Sequence, residues 1–293
     1  QQLAHTPFLQ VLQFTLDGNP FIAPSAQQAI SDAVGDGVDT NGNGIDDTAT
    51  VQIRRRQLET GPRQSLDSRF MFQFEAGVRG ELFGNWTYDA SYVEGRLTNS
   101  AEQVGNNSRA RLQQGLLLDL TDPANPRCQD TSGGCVPVNI FGENKMSAEA
   151  AEFVSVRVNS AFERHQRVLA ANIAGDTAGG FELPGGPIGL AFGIEYQEQF
   201  ADFRPSDALA RGDILGFNAS APQGGSYDAL GIYGEFYAPI LQGHQFAEIL
   251  AIEGAVRQTN YSTVGDVTAW KIAGEWAPIP DVRFRASYNT AVR

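Results

Sequence analysis

Between Asp266 and Arg293 two amphipathic stretches are joined by Pro278-Ile279-Pro280-Asp281. In the second, Val282-Arg283-Phe284-Arg285-Ala286-Ser287-Tyr288-Asn289, apolar and polar side chains alternate one by one. Successive residues of a strand point to opposite faces, so a chain written with a period of two is committed to sheets with one greasy and one charged side. The same period fills residues 70–79, where the even positions are apolar, and returns in Trp86-Thr87-Tyr88-Asp89-Ala90-Ser91-Tyr92 after a tight turn at Gly84-Asn85. It recurs along most of the chain, with aromatics near strand ends and short turns alternating with long polar loops. About nine strands of roughly 9–13 residues result, long for a globular sheet and right for a tilted strand crossing a bilayer. The pattern predicts an all-β fold, an antiparallel transmembrane β-barrel with long extracellular loops.

Bulk composition fits that expectation. Mean hydropathy is only −0.25, because alternation halves the apolar content of each spanning strand. No run of roughly 18 apolar residues exists to make a transmembrane helix. Gln1-Gln2-Leu3-Ala4-His5 lacks the basic and apolar segments of a secretory leader; an exported protein is expected to have lost one, or to begin further upstream. The net charge of −13 argues against nucleic acid as a partner, since phosphates call for clustered Lys and Arg. Acidic loops suit an outer-membrane surface where divalent cations bridge negative groups. No enzymatic activity is expected. His5, His165 and His244 are scattered, no nucleophile elbow is present, and the Pro-punctuated glycines at 179–187 do not open a helix to cradle phosphate.

Residues 1–68 read as an extracellular loop region that contains a calcium-like loop and the start of a strand. Ser25 and Gln28 mark a short helix over about 26–34, and the strand begins within 51–58. Residues 69–293 read as barrel strands, with a third strand over 108–119, long loops at about 120–152 and 201–225, and a short helix over about 148–154 opened by Ser147.

Within the first region, Asp39, Asn41 and Asn43 offer side-chain oxygens at alternate positions, Ile45 a carbonyl, and Asp47 a direct or water-mediated contact, the spacing of a loop that wraps calcium. Thr50 stands where a bidentate Glu would complete the set, and a solvated Asx-rich turn is the alternative. Calcium is thus the one candidate cofactor, and none is required. Cys128 and Cys135 bracket Gly133-Gly134 and are expected to form a small loop disulfide in an oxidising compartment, a reduced pair or a metal site being the other readings. Arg54, Arg55 and Arg56 alternate faces on a strand and cannot converge on one anion. Glu75, Arg79, Glu195, Glu235, Glu253, Lys271 and Glu275 each sit between apolar neighbours and are expected to face the barrel lumen. Trp86, Tyr88, Tyr92, Tyr196, Tyr237, Trp276 and Tyr288 are assigned to aromatic girdles rather than to sugar stacking.

Several segments together resemble TonB-dependent outer-membrane receptors. They are Asn19-Pro20-Phe21, Arg54-Arg55-Arg56 with Glu59-Thr60-Gly61-Pro62-Arg63, and Gly133-Gly134-Cys135-Val136-Pro137-Val138-Asn139-Ile140-Phe141-Gly142 followed by Ser147-Ala148-Glu149-Ala150. Further along come Phe181-Glu182-Leu183-Pro184-Gly185-Gly186-Pro187 leading to Gly193-Ile194-Glu195-Tyr196, then Tyr261-Ser262-Thr263-Val264-Gly265, Trp270-Lys271 through Trp276-Ala277-Pro278, and Arg283 through Arg293. The resemblance spans nearly the whole chain and is specific in combination. It implies about nine strands of a barrel of about 22, without the family's plug domain and TonB box, and so an internal piece of the barrel.

Further implications concern function and location. The resemblance places the chain in the outer membrane of a Gram-negative bacterium, with outer-membrane lipid and lipopolysaccharide around it and TonB acting through the missing plug. It implies TonB-energised uptake of a scarce nutrient, a siderophore, carbohydrate or similar small ligand, met by loops at 19–50, 120–152 and 201–225. A plugless porin and a secreted calcium-binding β-sandwich for adhesion or carbohydrate binding are the alternatives. An open sheet leaves unpaired backbone groups at two edges, so the piece alone is expected to aggregate and to conduct nothing.

Overall fold

The computed structural model describes residues 8–291; His5, Val292 at the end of the expected final strand, and Arg293 lie outside them. In chain order β1 (Phe8–Thr15), α1 (Pro24–Val34) and β2 (Thr48–Arg55) lead to the long strands β3 (Gln64–Glu81) and β4 (Thr87–Asn107). Then come α2 (Arg109–Leu116), the two-residue strands β5 (Leu118–Asp119) and β6 (Arg127–Cys128), α3 (Ala148–Val154) and β7 (Ser155–Asp176). The small strands β8 (Glu182–Leu183) and β9 (Gly186–Pro187) precede β10 (Gly189–Pro205), α4 (Asp207–Ala210), β11 (Gln223–His244), β12 (Ala247–Tyr261), β13 (Gly265–Ile279) and β14 (Val282–Asn289). Strands hold 58% of the residues, so the chain is predominantly β, as the alternation predicts.

The chain divides into two compact units. The first takes residues up to Arg69, Asn99–Ala161 and Phe203–Gln223, so segments read from sequence as separate loops share one hydrophobic core. Leu12, Phe14 and Leu16 from β1 and its exit pack with Leu112 and Leu116 of α2, Val138 and Ile140 of the following loop, Val154 of α3, and Leu215. Phe14 meets Phe141 edge to face, ring centroids 5.2 Å apart. Each such buried Leu, Val or Phe contributes about 1.5–3 kcal/mol, so this unit has the interior of an ordinary globular domain. β1 and β2 pair antiparallel with Phe14 opposite Ala49. Gln113 of α2 clasps β1 at Gln13, donating to its carbonyl at 2.7 Å and accepting from its N–H at 3.1 Å.

Two local expectations change here. The expected strand over 108–119 is replaced by α2 and the two-residue β5: β4 ends at Asn107 and α2 begins, with the Ser108 hydroxyl accepting from Arg111 N–H. Leu112, Gly115 and Leu116 are its buried positions, a helical spacing that a reading biased toward period two passes over. The first helix starts at Pro24 and carries no side-chain cap. Proline suits this first position because its missing N–H would have had no partner there. The helix after Ser147 forms as read, Ser147 Oγ accepting from Ala150 N–H at 3.1 Å.

The second unit, Phe70–Thr98, Phe162–Asp202 and from Gly224 onward, carries the long strands. The eight-stranded antiparallel sheet has the order β14-β13-β12-β11-β10-β7-β4-β3, a meander in which chain neighbours are sheet neighbours. Its strands run to 22 residues in β7 and β11, longer than the expected spans. Among the described residues β3 and β14 are the two edges and do not pair with each other; the sheet is not closed into a barrel.

Register separates the two faces. Ile252 lies opposite Gly274, Gly254 opposite Ile272 and Val256 opposite Trp270, while Ile272 faces Tyr288 and Trp276 faces Phe284. Opposed residues share a face, so these apolar groups make one surface. On the other, Glu253 is opposite Ala273, Ala255 opposite Lys271, and Glu275 opposite Arg285. Gly254 also receives Phe236 from β11: a Cβ there would stand 2.4 Å from the Phe236 ring, so only glycine leaves room.

Candidate functional site

Among the described residues of the second unit, the large side chains of the apolar face are exposed. Every buried hydrophobic among the described residues of the second unit is an alanine, namely 229, 238, 247, 251 and 277, while Phe72, Phe284 and Tyr288 are 50%, 56% and 65% exposed. A sheet in water does the reverse, burying its large side chains. Aromatic residues gather near the strand ends of this face. Trp276 stacks on Phe284 at 5.6 Å, and Phe83 lies 6.2 Å from Trp86. The Trp86 and Trp276 indole N–H groups donate to the carbonyls of Asp176 and Phe246, at 3.1 and 2.9 Å. Tyr88 packs over Gly80. Tyr237 departs from the girdle expectation, because opposite Glu253 it stands on the charged face.

That charged face is laced by ion pairs. Arg257 meets Glu195 at 2.6 Å, Lys271 meets Glu253 at 2.5 Å, and Glu275 accepts from Arg283 at 3.0 Å with Arg285 at 3.5 Å. Tyr233 donates to Asn172 at 2.6 Å, and Asn172 donates to Asp89 at 2.8 Å. Glu75, Arg79 and Glu235 are exposed. Small residues separate the charged ones, and two wells result. Glu253, Glu275 and Arg285 line one beside Tyr237, and Glu195, Glu235 and Arg257 line the other beside Tyr233. The arrangement gives a polar surface able to hydrogen-bond a hydrophilic guest.

In the first unit the calcium-like loop is fastened to itself. Asp39 Oδ1 accepts from Gly42 N–H at 2.7 Å and Oδ2 from Gly44 N–H at 2.8 Å. These N–H groups, that of Gly44 foremost, hold the Asp39 carboxyl below its ordinary range. Asn41 and Asn43 turn amide N–H groups, not oxygens, toward Asp17, at 2.7 and 3.0 Å. Their oxygens accept from Asn43 and Ile45 N–H groups, and Asp47 is bonded to Thr40. Asp17 is the member that sequence spacing missed, lying more than 20 residues upstream with no motif to flag it. The donor set therefore fits a hydrogen-bonded Asx turn better than a cation cage. Among the described residues no group of three or more His, Cys, Asp or Glu is placed to hold a metal ion.

Cys128 and Cys135 are joined, with Cα atoms 6.2 Å apart. The exposed loop they close is held to α2 by Gln114, whose amide donates to the carbonyls of Asp130 and Ser132, both at 2.9 Å. Of the three arginines only Arg55 turns inward. Its guanidinium spans Glu59, at 2.9 and 2.5 Å, and donates to the carbonyls of Ile140 and Gly142, each at 3.1 Å. Both side chains of this pair are about one-tenth exposed, and the hydrogen bond from Arg55 holds the Glu59 carboxyl down at about 2. Arg54 and Arg56 remain on the exposed side. His165 and His244 are apart, one 3.1 Å from Glu94 and the other bonded to Gln242 O at 2.8 Å.

No protein-family model, no curated protein and no solved structure matches the chain.

Proposed function

We propose that the chain is barrel wall and ligand-contacting loops of a TonB-dependent outer-membrane receptor, which takes up a scarce nutrient using energy relayed from the inner membrane. One observation carries the membrane half of this: among the described residues, a sheet face edged with aromatics leaves its large apolar groups exposed, and hydrocarbon is the solvent that makes such a face stable. A β-sandwich would need a second layer to cover those rings. The opposite face, charged and welled, suits the water-filled or plugged side of a barrel wall. The motif resemblance supports the receptor half, and the first unit, assembled from the three loop segments, offers the ligand a preformed surface. Lipid and lipopolysaccharide, TonB acting through a plug, and a small nutrient are the partners proposed.

A two-part experiment tests this. The whole chain is refolded with and without detergent or vesicles, and folding only with an amphiphile is expected. Cells producing the barrel that contains these residues are then given candidate nutrients with and without a protonophore. Energy-independent uptake would point to the porin alternative, and a compact folded monomer in plain buffer would refute membrane residence.

A further inference from the structure

The aromatic residues of β11–β14 sort by face. Phe236, Trp270, Trp276, Phe284 and Tyr288 stand on the apolar side. On the charged side of these strands every aromatic among the described residues is a tyrosine, at 227, 233, 237 and 261. Register fixes this. Tyr261 is opposite Ala229, Tyr233 opposite Arg257 and Tyr237 opposite Glu253, and Tyr227 shares the face of Ala229 two residues on. The Tyr227 and Tyr261 ring centroids are 6.2 Å apart. At about 3.3 Å per residue, Tyr233 stands about 20 Å along β11 from Tyr227, and Tyr237 about 13 Å further. Girdle duty does not account for these rings, because they stand away from the apolar groups.

Their surroundings keep them open and fixed. Ala251, Ala255, Ala269 and Ala273 lie opposite Glu275, Lys271, Arg257 and Glu253, so small side chains separate the large ones. Tyr237 is 42% exposed. The Tyr233 ring lies over Gly193, where a Cβ would stand 2.4 Å from it, and its hydroxyl is tied to Asn172. The wells beside Tyr237 and Tyr233 measure about 350 and 440 Å³, the size of small-molecule pockets. Charge within them is compensated, Glu253 by Lys271, Glu195 by Arg257, and Glu275 by Arg283 and Arg285. Such pairs offer donors and acceptors with little net charge.

We propose that this face carries a binding track for a neutral oligosaccharide. The track rests on the receptor reading above and assigns the class of its nutrient. A sugar ring has apolar C–H faces and a hydroxyl rim. The tyrosine rings meet those faces, and the paired carboxylates, Lys271 and Arg257 hydrogen-bond the rim. An anionic chelate would set its charge beside Glu195, Glu253 and Glu275 and would have to break their pairs to reach a cation.

The test uses the whole chain folded in deuterated detergent micelles, titrated with maltose, maltohexaose, cellohexaose and gallium tris-catecholate, and read by saturation-transfer NMR. One hexasaccharide should bind about tenfold tighter than the disaccharide, because it reaches more than one ring. Tyr237→Leu, which keeps apolar bulk without a flat ring, should weaken the hexasaccharide about five- to tenfold. Tyr237→Trp should restore it, and Tyr288→Leu on the opposite face should leave it unchanged. The track is overturned if neither hexasaccharide binds, if length makes no difference, if Tyr237→Leu binds as the wild type does, or if the anionic chelate is preferred. Each of those results leaves the membrane placement intact, whereas a chain that folds in plain buffer removes that placement itself.

Discussion

Glu59 shows what one carboxylate can hold together. It holds in place the Arg55 guanidinium, which donates to the Ile140 and Gly142 carbonyls and so ties the end of β2 to that loop. Its value near 2 lies below the ordinary 4.5, so its contribution of about 3 kcal/mol is complete above the unfolded value and fades as pH falls toward 2. Urea midpoints of the wild type should therefore drop below about pH 4.5, and Glu59→Gln, weaker by about 3 kcal/mol near neutrality, should converge with it in acid. A constant gap between the two down to pH 2 would show that the pair is not what holds the segment. In the 39–47 loop, oxygens already accept backbone N–H groups and two amides point N–H at Asp17. Calcium titrated calorimetrically into the whole chain should bind no tighter than about 1 mM. Micromolar heat would mean that Asn41 and Asn43 turn over to present oxygen.

Along the strands, solvent preference is decided residue by residue. Ile272 lies on the apolar face between Gly254 and Tyr288, whereas Ala273 lies on the charged face beside Glu253 and Ser287. Ile272→Arg should cost about 2–4 kcal/mol of folding in lipid, and Ala273→Arg close to nothing, read from denaturant titrations in vesicles. Equal losses would mean that both faces meet the same medium. The elements with the strictest alternation, β3, β13 and β14, are the ones whose existence and facing can be read directly from sequence. α2 is hidden because Arg109-Ala110-Arg111-Leu112-Gln113-Gln114-Gly115-Leu116 offers only two large apolar residues and sits where a third strand would complete the rhythm. Tyr237 is misplaced for a related reason: residue type suggests a girdle, but parity with Glu235 decides its face.

For the molecule as a whole, sequence pattern separates strands from loops, yet it gives no sign that the loops fold on one another. That knowledge sits in isolated apolar residues such as Leu12, Leu112, Val138 and Leu215, too far apart in the chain to show any period. Independence of the two units is testable through the Cys128–Cys135 bond, which closes a short loop in the first of them. Reduction should lower that unit's stability by about 2–3 kcal/mol, seen as faster proteolysis within 109–154, and leave protection of β11–β14 unchanged. Loss of protection in both would show the units to be one cooperative body. The open rims β3 and β14 have a kinetic consequence. In a meander with an even number of strands the first and last run in opposite directions, so the rim of one molecule can extend the ladder of the next, and that molecule offers a fresh rim in turn. Such growth has no built-in stopping point, and the rate at which isolated chains are lost should climb more steeply than linearly with their concentration.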